Sequence, residues 1–431
     1  MPTYTTIPAP AAAGSSARVR GMIQKIRTMS GFAFVLLAVG RQTLQCVWSP
    51  EAEFPLETLG EQMAVEFEGT VVADPRSRAG VELHLRRARV LSAPAAPPPV
   101  VISGKSVPAS LDTLLDYRPV TLRNAAERAI FTIQAELCAG FREFFAAEGF
   151  TEIHTPKLVS GSAEGGANVF ALDYFGQPAF LAQSPQVYKQ AMVGVFGRVY
   201  EIAPVFRAEH HDTARHINEY TSVDCEVGFI DGIADLMALE TAMLRHTLAR
   251  LTDVCPAALA QLKVELPAVG EIPVIPFAEA KALVAETCRR PITDPHDFDP
   301  EEERLLCRLM QERTGSDFVF VTRYPSVKRP FYTMDSHDAP TVTESFDLLF
   351  RGLEITTGGQ RIHDYAAQVA KMQARGMDTA PFASYLMAHR HGLPPHGGMD
   401  IGLERLTARL CGFDNVRRAA LFPRDVKRIA P

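Results

Sequence analysis

The stretch that most limits what this chain can become runs from Val199 to Phe229 and reads VYEIAPVFRAEHHDTARHINEYTSVDCEVGF. Its two ends, Val199 to Phe206 and Tyr220 to Phe229, are rich in the β-branched and aromatic residues of strands. Between them a polar segment carries Arg207, Glu209, His210, His211, Arg215 and His216. The pattern predicts a long hairpin with a charged tip. Guanidinium groups fork phosphate oxygens and stay charged when desolvated, so arginines fixed at the end of a strand pair suit a polyanion. Glu209 can accept from an adenine amino group. Charge alone fits a solvated hairpin loop equally well.

At 431 residues the chain exceeds what one core usually supports, so two or three domains are expected. Its composition, 47% hydrophobic and 22% charged, is that of an ordinary soluble protein. No run approaches the roughly 18 to 20 apolar residues of a membrane span. The opening MPTYTTIPAPAAAGSS lacks the basic-then-apolar order of a secretion signal, so a cytoplasmic protein with no membrane partner is expected. The seven cysteines are scattered with no CxxC pair, which argues for small core residues over a zinc site or a disulfide framework. The net charge of −6 argues against a generally basic nucleic-acid binder. Residues 1–100 carry ten Lys+Arg and eight Asp+Glu, a net of +2, which leaves −8 for the rest. Any RNA contact must rest on local patches.

Residues 1–16, rich in Ala, Pro, Thr and Ser, read as a disordered leader. Residues 17–100 alternate short strands with turns, RVRGMIQKI, FAFVLLAV, TLQCVWS, AVEFEGTVVA and ELHLRRARVLS, with a helical stretch at PLETLGEQ between the third and fourth. That order is the order of an OB-fold, although other small β-barrels share it. Phe34 on the second strand and Gln45 on the third offer a ring to stack a base and an amide to read its edge. A core Phe and a solvent-facing Gln look the same in sequence. Residues 101–125 read as a linker and hinge.

In residues 126–431, Glu127 to Glu148 is an amphipathic helix followed by a strand at FTEIHTPKLV that contains Pro156. Ser160 to Phe170 is a small-residue loop with Glu164 as its one charge. In FLAQSPQVYKQAMVG, Gln186 and Lys189 share a helix face, where a lysine is usually solvated. Ile233 to Leu251 is a long amphipathic helix, and the region from about Asp253 to Gly315 is uninformative. Phe318 to Thr322 and Ser345 to Ile355 read as strands, the second running on into TTGGQR. Glu354 and Thr357 supply hard oxygens suited to magnesium on phosphates. His391 to Gly412 is a Gly-rich strand passing into a helix, with Gly402, Leu403, Glu404 and Arg405 at the junction. Glycines there let backbone approach a base or phosphate closely.

FRAE followed by RHxxE resembles motif 2 of the class II aminoacyl-tRNA synthetases, most closely the aspartyl and asparaginyl branch. The helix, strand and Pro156 resemble motif 1, and the run through Gly402 to Arg405 resembles motif 3. The resemblance implies an α+β protein, an N-terminal OB-fold anticodon-binding β-barrel plus a class II synthetase catalytic domain. Its sheet would have six or seven strands, mostly antiparallel and flanked by helices, and the protein would be a homodimer.

It also implies ATP at Arg207, Glu209, Arg215, His216, Ile217, Glu354, Gly402, Leu403, Glu404 and Arg405, with Arg207, Glu354 and Arg405 catalytic. Magnesium would sit on Glu354 and Thr357, where archaeal relatives typically have Ser in place of Thr357. L-Aspartate would meet Glu164, Gln186, Lys189, Arg207, Thr357 and Arg361. Asparaginyl enzymes lack the lysine matching Lys189, and asparagine would leave the two cations, Lys189 and Arg361, under-compensated. The anticodon would meet Gln24, Phe34 and Gln45. Discriminating archaeal aspartyl enzymes carry tryptophan where this chain has Gln24, which implies charging of both tRNA(Asp) and tRNA(Asn), with an amidotransferase acting on the second product. The competing expectations are an enzyme specific for tRNA(Asp), an asparaginyl enzyme, an amino-acid-activating paralogue and a non-catalytic OB-type RNA-binding protein.

Overall fold

The computed structural model describes residues 3 and 4 by their backbone, and residues 6–77, 79–161 and 168–431. The chain divides into two compact units, residues 1–109 with 119–124, and residues 110–118 with 125–431. The expected hinge is thereby split between them.

The smaller unit is a barrel of strands β1 (Ser16–Thr28), β2 (Ala33–Val39), β3 (Gln42–Trp48), β4 (Ala64–Ala73) and β5 (Val81–Ser92). Alternation fills its interior with Val19, Ile23, Val35, Leu37, Cys46, Val65, Phe67 and Leu83. Antiparallel pairing of β1 with both β2 and β4 closes it, and β3 meets β5 in parallel. The helical stretch expected after β3 is one 3-10 turn, Leu56–Thr58. The leader expected to be disordered instead forms a 3-10 turn at Pro10–Ala12, and Ile7 and Ala12 pack on the barrel core. Those apolar contacts were hidden in an Ala/Pro-rich composition.

The larger unit is built on an eight-stranded sheet, where six or seven strands were expected. Six antiparallel strands are its body: β7 (Arg198–Phe206), β8 (Glu219–Gly228), β10 (Phe318–Thr322), β11 (Ser345–Phe350), β12 (Leu353–Gln360) and β13 (His396–Gly402), in spatial order β10-β11-β12-β13-β8-β7. Short parallel strands finish the edges, β6 (Thr151–Glu152) on β7 and β9 (Val274–Pro276) on β10. The strand expected at FTEIHTPKLV is broken around Pro156, and Leu158–Val159 pairs in a separate three-stranded sheet.

Helices α1 (Ala125–Ala147) and α3 (Ile233–Val254) cover one face, joining Ile133, Phe141, Phe145, Leu244 and Leu248 to Phe318, Phe346 and Met399 of the sheet. Helix α2 (Gln186–Phe196) packs beside β7 and β8. Helices α4 (Phe277–Cys288) and α5 (Pro300–Thr314) form a second cluster on Val319, Val321 and Leu349. Helix α6 (Leu403–Leu410) follows β13 directly. The fully buried Arg118 donates to the carbonyls of Arg418, Ala420 and Leu421 and pairs with Glu127, fastening the C-terminal segment to α1. Five of the seven cysteines are buried, and all are free thiols.

One core contact carries a pH prediction. Glu240 on α3 is fully buried and accepts from Thr356 Oγ1 at 2.5 Å. Burial pushes its carboxyl from the ordinary 4.5 up to about 8. The folded chain therefore keeps a proton that the unfolded chain gives up, and stability falls as pH rises from about 4.5 to about 8. Glu240→Gln, which keeps an acceptor for Thr356 without the charge, is expected to melt a few degrees higher at pH 8 and to flatten that slope. Melting curves from pH 5 to 8.5 check it, and equal slopes for both proteins would count against it.

Candidate active site

The hairpin β7–β8 pairs in unbroken antiparallel register from Arg198↔Val227 to Phe206↔Glu219. Its loop is held from several sides. The Asn218 amide donates to the carbonyls of Arg207 (2.7 Å) and Glu209 (2.9 Å). Asp212 pairs with Arg417 (2.8 Å) and Lys427 (2.5 Å), and Asn218 N–H donates to the carbonyl of Arg424. The basic C-terminal segment therefore braces the loop. Sequence reading passed over Asn218, whose only signal is a side chain with two N–H donors within reach of a turn.

A cavity of about 520 Å³ opens beside this loop, a volume typical of small-molecule sites. It is lined by Arg207, Glu209, Arg215, His216 and Ile217 from the hairpin, Glu354 and Thr357 from β12, and Gly402, Glu404 and Arg405 from the β13–α6 junction. Ten residues expected at a nucleotide and metal site thus line one cavity. Leu403 does not line it; its side chain is in the core, facing the opposite way from its neighbours. Glu404 spends its carboxylate on the backbone N–H of Thr221, at 3.1 and 3.0 Å. Burial pushes that carboxyl up to about 7.

Glu354 and Thr357 face the cavity together because of a bulge. In the β11–β12 register Leu348 pairs with Thr356 and Leu349 with Glu354, which leaves Ile355 unpaired. Unbroken alternation would send residues 354 and 357 to opposite faces. Here Thr357 Oγ1 donates to Glu354 Oε1 at 3.4 Å. Arg405 Nη1 reaches both the carbonyl and the carboxylate of Glu354 at 3.1 Å. Burial works against ionisation of Glu354, but Arg405, Arg215, Arg329 and Arg207 hold its carboxyl below the ordinary value. His216 is pushed down to about 4 by burial and by Arg405 and Arg215, so at neutral pH it is an uncharged imidazole, its Nδ1 2.7 Å from Thr213 Oγ1.

Asp347, the register partner of Thr357, also lines the cavity and was not anticipated. Arg329 donates to it at 2.7 Å and lies over the Tyr324 ring at 3.9 Å. The described residues contain no group of three or more His, Cys, Asp or Glu placed to hold a metal by themselves. Glu354, Thr357 and Asp347 still fit magnesium, an ion that keeps waters and takes substrate phosphates alongside one or two carboxylates.

Lys189 and Arg361 lie beside this cavity and do not line it. Lys189, expected to be solvated on pattern alone, is 1% exposed. Its ammonium donates to Asp224 Oδ1 at 2.8 Å and lies 3.5 Å from Glu226 Oε2. Arg361 Nε donates to Glu226 Oε1 at 2.9 Å. Burial lowers the lysine's affinity for its proton, but Asp224 and Glu226 more than reverse that and hold it above its ordinary value. The cluster borders the cavity through Tyr332, whose ring is 5.3 Å from the Arg361 guanidinium, and through Asp400, the register partner of Asp224. Both cations therefore already have anionic partners, and the expectation that asparagine leaves them under-compensated does not hold in that form. Gly398 makes room for the cluster, since a Cβ there would lie 2.1 Å from Glu226 Oε2. The glycines of β13 thus serve side-chain packing as well as approach to the cavity. Gln186 is buried and its Nε2 has no hydrogen-bond partner. Glu164 lies outside the described residues.

In the barrel, a register shift between Ile23 and Lys25 leaves Gln24 unpaired in the ladder, and its Oε1 accepts from Thr43 at 3.1 Å. Gln45 donates to Glu82, and Phe34 meets Phe32 edge to face at 5.2 Å. All three are half-buried on strands β1 to β3.

An antiparallel sheet presenting an arginine-bearing hairpin and a glycine-rich strand–helix junction to one cavity, in a chain that also carries an OB barrel, defines a class II tRNA synthetase. The chain belongs to that family: the model described as tRNA synthetases class II (D, K and N) matches residues 110–426, and that of the OB-fold nucleic acid binding domain matches residues 17–91. It is 46% identical over 424 residues to an aspartate–tRNA(Asp/Asn) ligase of Deinococcus radiodurans, covering 97% of this chain and 96% of that one. It is 37% identical over 426 residues to an aspartate–tRNA(Asp) ligase of Pyrococcus abyssi, covering 97% of each. Its fold matches the asparaginyl-tRNA synthetase of Pyrococcus horikoshii solved with asparaginyl-adenylate, with a TM-score of 0.89, 29% identity and 98% of both chains covered. No helix among the described residues is long and apolar enough to cross a membrane.

Proposed function

We propose that this protein activates L-aspartate with ATP and transfers it to tRNA, charging both tRNA(Asp) and tRNA(Asn). The observation that carries aspartate is the buried Lys189–Arg361 pair beside the cavity. Ammonium and guanidinium groups only donate hydrogen bonds. The side-chain carboxylate of aspartate accepts at both oxygens, whereas asparagine would turn an NH₂ group toward donors. Gln186, with its amide nitrogen lacking a partner, adds a donor on the same helix as Lys189.

The aspartate α-carboxylate attacks the α-phosphorus of ATP in line; an O–P bond forms and pyrophosphate leaves. The protein supplies position and charge neutralisation. Arg207 holds the α-phosphate and α-carboxylate, Glu209 and Ile217 the adenine side, and Arg215, His216 and Arg405 the outer phosphates. Gly402 and Glu404 shape the base side. Glu354 and Thr357, with Asp347, would hold magnesium, which when bound neutralises phosphate charge. The terminal ribose hydroxyl of the tRNA then attacks the aspartyl carbonyl, and AMP leaves. Gln24, Phe34 and Gln45 meet the anticodon, and a homodimer through α1 and β6 follows from the motif 1 resemblance. An amidotransferase would take the product on tRNA(Asn), and the setting is the cytoplasm.

Charging of tRNA(Asp) and tRNA(Asn) transcripts with labelled aspartate, with labelled asparagine as control, tests the reading. Comparable aspartylation of both is expected, and asparagine transfer would overturn the role given to Lys189. Gln24 carries the second half of the proposal. Gln24→Trp is expected to lower charging of tRNA(Asn) relative to tRNA(Asp) by about tenfold, since one contact at a differing base is worth about 1–3 kcal/mol. An unchanged ratio would remove Gln24 from the account.

A further inference from the structure

We propose that Glu303 is a positioning residue for the nucleotide: a buried carboxylate that fixes the cavity's Arg215 and Glu354 relative to each other and so sets affinity for a nucleoside triphosphate without touching it. The inference rests on the reading of the cavity as the ATP site. Glu303 belongs to α5, in the stretch that the sequence left uninformative. It is 5% exposed and does not line the cavity. Both of its carboxylate oxygens accept from Arg215 Nη2 at 2.7 Å. Its Oε2 also accepts from the backbone N–H of Glu354 at 3.1 Å. One side chain thus ties the tip of the β7–β8 hairpin to the bulged strand β12, two walls of the same cavity that the chain separates by more than a hundred residues.

The anchor is itself fixed. A capping box closes the first turn of α5, with Asp299 accepting from the N–H groups of Glu301 and Glu302 and Glu302 accepting from that of Asp299. Lys281 of α4 then holds both oxygens of Glu302 at 2.8 Å. A helix pinned at its first turn presents Glu303 at one height and one rotation. The bond to Glu303 engages Nη2 of Arg215, which leaves Nε and Nη1 as phosphate donors. An arginine on a hairpin tip otherwise loses side-chain entropy when it grips a phosphate, and prior restraint removes part of that cost.

Titration of Mg·ATP into the full-length protein by calorimetry tests this in four forms: unaltered, Glu303→Gln, Arg215→Ala and the double variant. Glutamine can still accept from the Glu354 N–H but turns NH₂ toward the guanidinium. Glu303→Gln is expected to weaken ATP about tenfold while the KM for aspartate in pyrophosphate exchange changes less than about twofold. In the Arg215→Ala background the same change is expected to add less than about twofold. Equal losses for ATP and aspartate, multiplying effects in the double variant, or an Arg215→Ala protein that binds ATP normally would each overturn the proposal. Should Glu303→Gln fail to fold, that last outcome still decides. Absence of aspartate-dependent exchange in the unaltered protein would remove the aspartate reading, while the ATP titrations would still decide the role of Glu303.

Discussion

Lys189→Met is expected to abolish aspartate-dependent pyrophosphate exchange and to lower the melting temperature by roughly 5–10 °C, the second effect following from a destabilisation of about 3–5 kcal/mol when one partner of a buried pair is removed. Glu226 would then keep Arg361, while Asp224, also nearly inaccessible, would lose the ammonium that donates to it. Adding Asp224→Asn to that variant removes the carboxylate that lost its ammonium and is expected to restore much of the melting temperature without restoring exchange. That split separates the lysine's contribution to the fold from its contribution to substrate recognition. A Lys189→Met protein that folds normally and still exchanges pyrophosphate with aspartate would refute both.

Arg207→Met is expected to lower the exchange rate about 10²- to 10³-fold, the usual cost of removing one preorganised group that meets developing charge. The fold is expected to survive, because Arg207 is a half-exposed residue whose guanidinium lies over Tyr220, with 5.8 Å between its carbon and the ring centre, and the loop's backbone is held by Asn218. Melting within about 2 °C of the unaltered protein, alongside the rate loss, is the result that assigns Arg207 to chemistry. A rate loss matched by a large fall in stability would assign it to the scaffold instead. The two variants separate different parts of the site: the first is read through aspartate and stability together, the second through the chemical step alone.

Both rest on residues whose types and order were legible in one sequence. The hairpin, the arginines at its tip, the five barrel strands and the glycine-rich passage into α6 are local patterns. They follow from alternation, turn residues and spacing along the chain, and the folded hairpin keeps the limits read for it to within one residue at either end. Membership in the D, K and N group was legible for the same reason, since the three motifs are short and lie in a fixed order.

What the sequence could not supply were the partners that each of these residues meets across the fold. Glu354 and Thr357 share a face because Ile355 drops out of register with β11, and register belongs to the strand pair rather than to either strand. Asp224 and Glu226 read as ordinary alternate positions on β8, yet they set the charge state and position of Lys189 and Arg361 from across the sheet. Glu303 is one of three consecutive glutamates at a helix start, and only the packing of α5 against β12 singles it out from Glu301 and Glu302. The sequence by itself determined which chemical groups this protein owns and which local element carries each one. The tertiary structure alone decided which groups are buried together, because desolvation and pairing depend on contacts between segments far apart in the chain, and those two terms fix whether a lysine is a surface charge or a held cation.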